Sequence, residues 1–154
     1  MKARILAASA AALGSVLLVT TPASAHTTDD WFAAGSAPSG WNYRVAESTA
    51  GSVHQKTQIW WTGYEGVAVR GAVSDQKNDG YCGAVQIRYE NLNSDGNWAG
   101  HWHYRTLVND CSTNSDAEVS SYYYHLGQGA RSLSARACHT DSSARIIECE
   151  QNWH

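Results

Sequence analysis

The histidines are the residues of this 154-residue sequence best suited to metal chemistry. His101 and His103 stand two apart on a predicted strand, so both imidazoles share one face and could bind one ion. A third ligand would have to come from His125, His139 or an acidic residue, and nothing in the sequence brings one there. Because two strand histidines without a metal are far commoner, the sequence predicts no metal site and no cofactor.

A second chemical candidate arises near the amino end. Residues 1–25 combine a basic start, an apolar run over 5–19 and a small-residue motif ending at Ala25, which predicts a secretory signal peptide. Cleavage there would make His26 the first residue and place a free α-amino group beside its imidazole. This start resembles the copper-binding histidine brace of bacterial lytic polysaccharide monooxygenases. The resemblance implies a small copper oxidase, which we keep as the less favoured alternative.

Hydrolytic chemistry has weaker support. Glycoside hydrolysis needs two converging carboxylates. Glu148 and Glu150 share a predicted strand face, but neighbouring acids on an edge strand are usually solvated charges. The sequence also contains no P-loop, no dinucleotide-binding glycine fingerprint, no HExxH and no GxSxG. We therefore predict a protein that is not an enzyme.

Charge and hydropathy narrow the range of partners. Beyond the signal peptide the chain has nine basic and fourteen acidic residues, a net charge of −5, and no run of Lys or Arg. Phosphate-backbone binding needs clustered positive charge, so nucleic acid is not expected as a partner. No later segment is apolar enough to span a membrane, so we also expect no membrane partner and an extracellular location.

A short aromatic segment follows the predicted cleavage site. Residues 26–41 lack strand or helix periodicity and are rich in Gly, Ser, Ala and Pro, which predicts a flexible amino-terminal arm. Such an arm, with Trp31 and Phe32 as apolar anchors, could dock into a groove on another protein. Alternatively, the two rings fold back onto the edge of the protein's own sheet. The predicted partner-binding residues are Asp29, Asp30, Trp31, Phe32 and Trp41.

The aromatic residues have an unusual composition. Trp and Tyr number fifteen against a single Phe, and rings with a polar handle suit wet interfaces and sugar-stacking platforms. Trp60 and Trp61 must point to opposite faces of a strand, so one of them could approach the surface. The rings either form the core, which is the simpler interpretation, or a carbohydrate-binding platform, which is the second candidate for function.

Four cysteines in a secreted chain are expected to form two disulfides. Two alternating segments flank the turn-forming residues 91–97, and a hairpin centred there sets Cys82 opposite Cys111. The same construction over the last two strands sets Cys138 opposite Cys149. Opposed residues of an antiparallel pair lie within disulfide range. The predicted pairs are therefore Cys82–Cys111 and Cys138–Cys149.

Short alternating segments separated by turn residues continue to the end of the chain. They predict an all-β, antiparallel sandwich or barrel of about seven or eight strands over residues 42–154. The candidate strands are 42–47, 56–62, 66–74, 81–90, 98–108, 117–126, 131–139 and 144–152.

Several local motifs suggest a family resemblance. They are Tyr81-Cys82-Gly83, Ala135-Arg136-Ala137-Cys138, Glu148-Cys149-Glu150 and Trp153. With the signal peptide and the arm, they resemble small secreted actinobacterial proteins, above all the adaptor subunits of secreted antibacterial umbrella toxin particles. The resemblance implies that the arm docks into a toxin scaffold while the β domain binds a lectin subunit. The leading prediction for function is therefore a non-catalytic extracellular adaptor.

Overall fold

The computed structural model describes residues 31–63, 66–112 and 117–154. These ranges contain ten strands and no helix. The strands are β1 (Trp31–Ala34), β2 (Asn42–Ala50), β3 (Val53–Thr62), β4 (Gly66–Asp75), β5 (Cys82–Asn91), β6 (His103–Asp110), β7 (Val119–Ser120), β8 (Tyr123–Leu126), β9 (Ala130–Thr140) and β10 (Ile146–Cys149). The signal peptide, His26, Asp29 and Asp30 lie outside the described residues. No helix of the described ranges is long and apolar enough to cross a membrane.

The strands form two antiparallel sheets, which confirms the predicted all-β fold. Sheet I has the order β1-β8-β4-β3-β2, with the short β7 also paired to β4. Sheet II has the order β10-β9-β5-β6. The inner faces of the two sheets pack together because alternate positions along the strands carry apolar side chains toward the same face. Val69 and Val73 of sheet I and Val85 and Ile87 of sheet II are fully or almost fully buried there.

Both predicted disulfides are present. Cys82 bonds to Cys111 with the Cα atoms 4.4 Å apart, and Cys138 bonds to Cys149 with the Cα atoms 3.9 Å apart. Cys138 and Cys149 are directly opposed in the β9–β10 pair, as the hairpin argument requires. Each bridge therefore clamps its own hairpin within sheet II.

Residues 31–34 belong to the sandwich and are not part of a flexible arm. They form β1, and Trp31 lies opposite Leu126 on the inner face of sheet I. The Trp31 side chain is only 8% exposed and contacts the ring of Tyr89 edge-on, with the centroids 5.3 Å apart. Aliphatic residues are scarce in this chain, so a large indole supplies apolar area that the core otherwise lacks. Trp31 is therefore a core residue, not an exposed anchor.

A chain of polar side chains crosses the interior and fixes the segment after β10. Thr57 donates to Gln55 (2.7 Å), Gln55 donates to Ser48 (2.9 Å), and Ser48 donates to the carboxylate of Glu150. The same carboxylate accepts the backbone N–H of Ala137 at 2.7 Å. These groups satisfy one another in the interior, where an unpaired polar group is costly. The network thus ties the last residues of the chain to both sheets.

Candidate binding surfaces

Four large side chains, with one alanine among them, form a row across the outer face of sheet I. Strand register places Phe32 beside His125, His125 beside Ala68, Ala68 beside Trp60, and Trp60 beside Tyr43. We call these five residues the aromatic row. Solvent-facing positions of an antiparallel sheet are usually polar, so this row is unusual for an outward face.

The ends of the aromatic row are exposed and its centre is covered. Phe32 is 54% exposed and Tyr43 is 47% exposed, whereas Trp60 is only 7% exposed. Trp60 is covered because the rings of Tyr43 and Tyr123 lie against it, with centroids 5.2 and 5.6 Å away. The guanidinium of Arg70 lies 5.2 Å from the centroid of Tyr123. The resulting surface has aromatic rings at its edges and one cation beside them.

Trp41 extends the same surface beyond the strands. Its ring centroid lies 5.9 Å from that of His125. The indole lies directly over Gly66, where a Cβ atom would come within 2.7 Å of Trp41 and 2.6 Å of Thr62. A side chain at residue 66 would collide with both neighbours, so the glycine is what allows Trp41 to approach the sheet this closely.

A second set of rings lies on the outer face of sheet II, and the end of the chain contributes one of them. His154 exchanges two backbone hydrogen bonds with Ala135 of β9, at 3.0 and 2.9 Å. This pairing fixes Trp153 so that its ring lies between two guanidinium groups. The carbon Cζ of Arg88 is 4.7 Å from the Trp153 centroid, and that of Arg136 is 4.2 Å from it.

The Arg88 guanidinium also lies over the ring of Trp102, with Cζ 4.5 Å from the ring centroid. The order Trp102, Arg88, Trp153, Arg136 is therefore a continuous alternation of ring and cation, which we call the tryptophan–arginine stack. Tyr104 flanks it, 5.8 Å from the Trp153 ring. Each cation–π contact contributes about 0.5–2 kcal/mol, so the stack holds its side chains in a defined arrangement before any partner arrives.

The two arginines of the stack differ in their polar contacts. Arg136 donates through Nε and Nη2 to Gln86 (3.0 and 2.8 Å) and through Nη1 to the carbonyl of Glu150 (3.2 Å). Burial lowers the pKa of Arg136, and the nearby charge of Arg88 lowers it further. Arg88 takes part in no ion pair among the described residues, and its buried Nε has no hydrogen-bond partner there. Arg88 therefore presents a positive charge without an ion pair among the described residues, whereas the nearby carboxylate of Glu150 raises the pKa of Arg136 and partly offsets its charge.

A neutralised arginine lies near the stack on the same sheet face. Arg131 covers the Trp98 ring at 4.4 Å and also forms an ion pair with Glu90 at 2.8 Å. The Arg131 hydrogen bond, together with the N–H of Gly100, lowers the pKa of Glu90. Arg131 is therefore a useful comparison for Arg88, because it makes the same kind of contact with a ring but its charge is paired with a carboxylate.

The residues considered for metal chemistry form no metal cluster in the described part of the chain. The rings of His101 and His103 stack with their centroids 4.7 Å apart. No group of three or more His, Cys, Asp or Glu side chains within the described ranges could hold a metal ion. The histidine brace would need His26, which lies outside those ranges.

Sequence reasoning found part of these surfaces. Phe32 and Trp41 were predicted as partner-binding residues, and both lie on the outer face of sheet I. Trp60 and Trp61 do point to opposite faces, but Trp60 is covered and Trp61 packs against the core. The tryptophan–arginine stack was missed because no local pattern links Arg88, Trp102 and Trp153.

Comparison of the chain with protein-family models, curated proteins and solved structures gives no significant match.

Proposed function

We propose that this protein is a secreted, non-catalytic adaptor that joins two partners in an extracellular complex. One observation carries the proposal. Both outward faces of the sandwich bear organised aromatic surfaces, the aromatic row on sheet I and the tryptophan–arginine stack on sheet II. An adaptor must bind two partners at once, and surfaces on opposite sides of one small domain allow this without steric conflict.

The chemistry of the two surfaces suits protein interfaces. Trp, Tyr and Arg dominate the residues that contribute most to binding energy at interfaces. Such residues act best when they are held rigidly, because less conformational entropy is then lost on association. Trp153 between Arg88 and Arg136 meets this condition, and so does Tyr43, which lies against Trp60 and accepts a hydrogen bond from Gln58 at 3.0 Å.

The two surfaces should favour different partners. The unneutralised Arg88 suits a partner that offers carboxylates, because an arginine bound to a carboxylate forms strong, directional hydrogen bonds. The aromatic row has little charge and suits an apolar partner surface. In the arrangement implied by the resemblance to umbrella toxin adaptors, these partners would be a toxin scaffold and a lectin subunit, with sheet I, which carries Phe32 and Trp41, facing the scaffold.

Affinity purification of tagged protein from the culture medium of the producing organism tests the proposal. We expect the wild type to retain two secreted partners. Phe32→Ser combined with Tyr43→Ser should release one partner, and Trp102→Ala combined with Arg88→Gln should release the other. All four side chains lie on outer sheet faces, so folding should persist, as circular dichroism would show.

A matched control separates these effects from general loss of aromatic surface. Tyr81 is 51% exposed and packs against His139, away from both surfaces. Tyr81→Ala should retain both partners. The proposal is contradicted if wild type retains no partner, or if Tyr81→Ala releases partners as completely as the surface variants do.

Carbohydrate binding is the second candidate function. Only the exposed rings support it, because a ring must be accessible to stack on a sugar. Trp60 is too covered to stack on a sugar, so a platform on the two surfaces would use exposed rings such as Tyr43 or Trp102, which is 40% exposed. In that case a soluble polysaccharide would retard the wild type in native gels, and Trp102→Ala or Tyr43→Ser would abolish the retardation. An adaptor that binds only proteins would migrate unchanged.

A further inference from the structure

A pocket of about 330 Å³ opens at one end of the sandwich, between sheet I and β9. Its walls are mainly apolar and come from Ile59, Trp61, Val67 and Leu133, while Arg44 and Arg131 are the two arginines that line it. This volume falls at the lower end of the range of small-ligand sites, and a mainly apolar lining with few polar groups is typical of them.

Arg44 is the chemically distinctive residue of this pocket. It lies on the inner face of β2, opposite Ile59, at a position where an apolar side chain would normally point into the core. Its Nη2 donates to the carbonyl of Leu133 at 2.6 Å. Arg44 takes part in no ion pair among the described residues, and partial burial lowers its pKa. A partly desolvated cation without a counter-charge is unfavourable, and an anion in the pocket would relieve that cost.

The second arginine at the pocket has a different status. The guanidinium of Arg131 is already paired with Glu90. Its charge is therefore matched, and it has less capacity to attract an anion than Arg44 has. This difference makes Arg131 an internal control for the role of Arg44.

An irregularity of β9 shapes the pocket wall. Arg88 of β5 pairs with Ser134, and Glu90 pairs with Arg131, so β9 has two residues where β5 has one. Ser132, one of the two, has a φ of 55°, which non-glycine residues rarely adopt. Bulges of this kind turn backbone groups out of the regular ladder, and here the Leu133 carbonyl accepts from Arg44. The bulge and the arginine together form the polar end of the pocket.

We propose that this pocket binds a small amphipathic carboxylate, with its apolar part against Ile59, Trp61 and Val67 and its carboxylate on Arg44. The hydrophobic walls provide affinity by removing apolar surface from water. The guanidinium selects the anionic head through charge-assisted hydrogen bonds. This site is separate from the aromatic row and from the tryptophan–arginine stack, so it does not depend on the adaptor function.

Three eight-carbon probes test the proposal on the full secreted chain. Octanoate carries the predicted head group, 1-octanol lacks the charge, and octylammonium reverses it. A charge-assisted hydrogen bond contributes about 1.5–3 kcal/mol, so octanoate should bind roughly 10- to 100-fold more tightly than 1-octanol in calorimetry. Octylammonium should bind more weakly than either. Amide NMR shifts with octanoate should concentrate in residues 59–63, 66–67 and 130–133.

Two variants locate the selectivity. Arg44→Gln should reduce octanoate affinity to that of 1-octanol, and Arg131→Gln should leave it within about threefold of wild type. Arg44→Lys keeps the charge and should keep octanoate preferred over 1-octanol. If Arg44→Gln does not fold, this lysine variant and the three-probe comparison on wild type decide the matter.

Three results would overturn the proposal. The first is no octanoate binding at millimolar concentration, in which case Arg44 serves only to keep the exposed edge strand β2 from pairing with other chains. The second is equal binding of octanoate and 1-octanol. The third is a set of NMR shifts that maps to another surface.

Discussion

Trp31 and Phe32 are adjacent in sequence, yet the structure assigns them opposite roles, and replacing each in turn gives a sharp test. Trp31→Ala removes a side chain that is only 8% exposed and that packs edge-on against Tyr89. Removal of a buried Trp costs about 3–5 kcal/mol. Phe32→Ala removes a ring that is 54% exposed and contacts His125 at 5.6 Å, and it should cost less than about 1 kcal/mol.

Urea unfolding followed by far-ultraviolet circular dichroism measures both changes. With a slope of about 2 kcal/mol per molar urea for a domain of this size, a loss of 4 kcal/mol lowers the midpoint by about 2 M. The Phe32→Ala midpoint should fall by less than about 0.5 M. Trp31→Phe is the matched control, because it retains an aromatic contact with Tyr89 and removes a buried indole Nε1 that has no hydrogen-bond partner among the described residues.

We expect wild type and Phe32→Ala to be the most stable, Trp31→Phe to be intermediate and Trp31→Ala to be the least stable. Equal midpoints for the two alanine variants would refute the assignment of Trp31 to the core and return both residues to a flexible arm. The same assignment means that deleting residues 26–41 would remove β1 and destabilise the sandwich. Point substitutions at Phe32 and Tyr43 are therefore the cleaner test of partner binding.

Two further predictions concern stability. The Cys82–Cys111 bridge spans 29 residues and the Cys138–Cys149 bridge spans 11. Because a longer closed loop removes more entropy from the unfolded chain, the first bridge should contribute about 3.6 kcal/mol to stability and the second about 2.8 kcal/mol. Calorimetry of the two paired Cys→Ser variants should therefore show the larger loss of stability for the 82/111 pair, and the reverse order would contradict the entropic account. The pKa of Glu90 is lowered from its ordinary 4.5, mainly by the hydrogen bond from Arg131. The ionised Glu90 therefore stabilises the folded protein fully above pH 4.5, and this contribution is lost as the pH falls through the lower folded-state pKa. Glu90→Gln should therefore be less stable than wild type at pH 7 and approach it at acid pH in urea titrations, whereas a gap independent of pH would show that the ion pair is not its source.

Local sequence patterns were sufficient for most of the fold. Turn residues between alternating segments set the register of both hairpins of sheet II, and that register alone brings Cys138 opposite Cys149. The same alternation put Leu133, Ala135 and Ala137 on one buried face. These features depend on neighbours close in sequence, which is why they could be predicted.

Features that depend on distant contacts were not predictable in the same way. β1 has only four residues, and its strand structure comes from pairing with β8, about ninety residues later. Strict alternation would place Thr106 and Val108 on one face of β6, but a register shift sets Thr106 opposite the outward Gln86 and Val108 opposite the inward Val85. A single inserted residue reverses which face a strand buries, and no local signal marked the insertion.

In the binding surfaces, too, some features follow from local sequence and others depend on distant contacts. Phe32 and Trp41 were identifiable as large apolar residues in a polar, glycine-rich segment. The tryptophan–arginine stack instead requires β5, the approach to β6, β9 and the end of the chain to meet on one face. Trp153 reaches that position only because Glu150 and His154 fix the last segment against β9. Composition indicated a Trp-rich surface without indicating which rings it contained.

Simultaneous binding of two partners is the central claim, and native mass spectrometry of the purified extracellular complex tests it most directly. The account predicts one species that contains a single copy of this protein together with both partners. The Phe32→Ser/Tyr43→Ser and Trp102→Ala/Arg88→Gln variants should each give a binary complex with a different partner. Two mutually exclusive binary complexes with the wild-type protein, both lost through the same pair of substitutions, would contradict the account, because they would place both partners on one face.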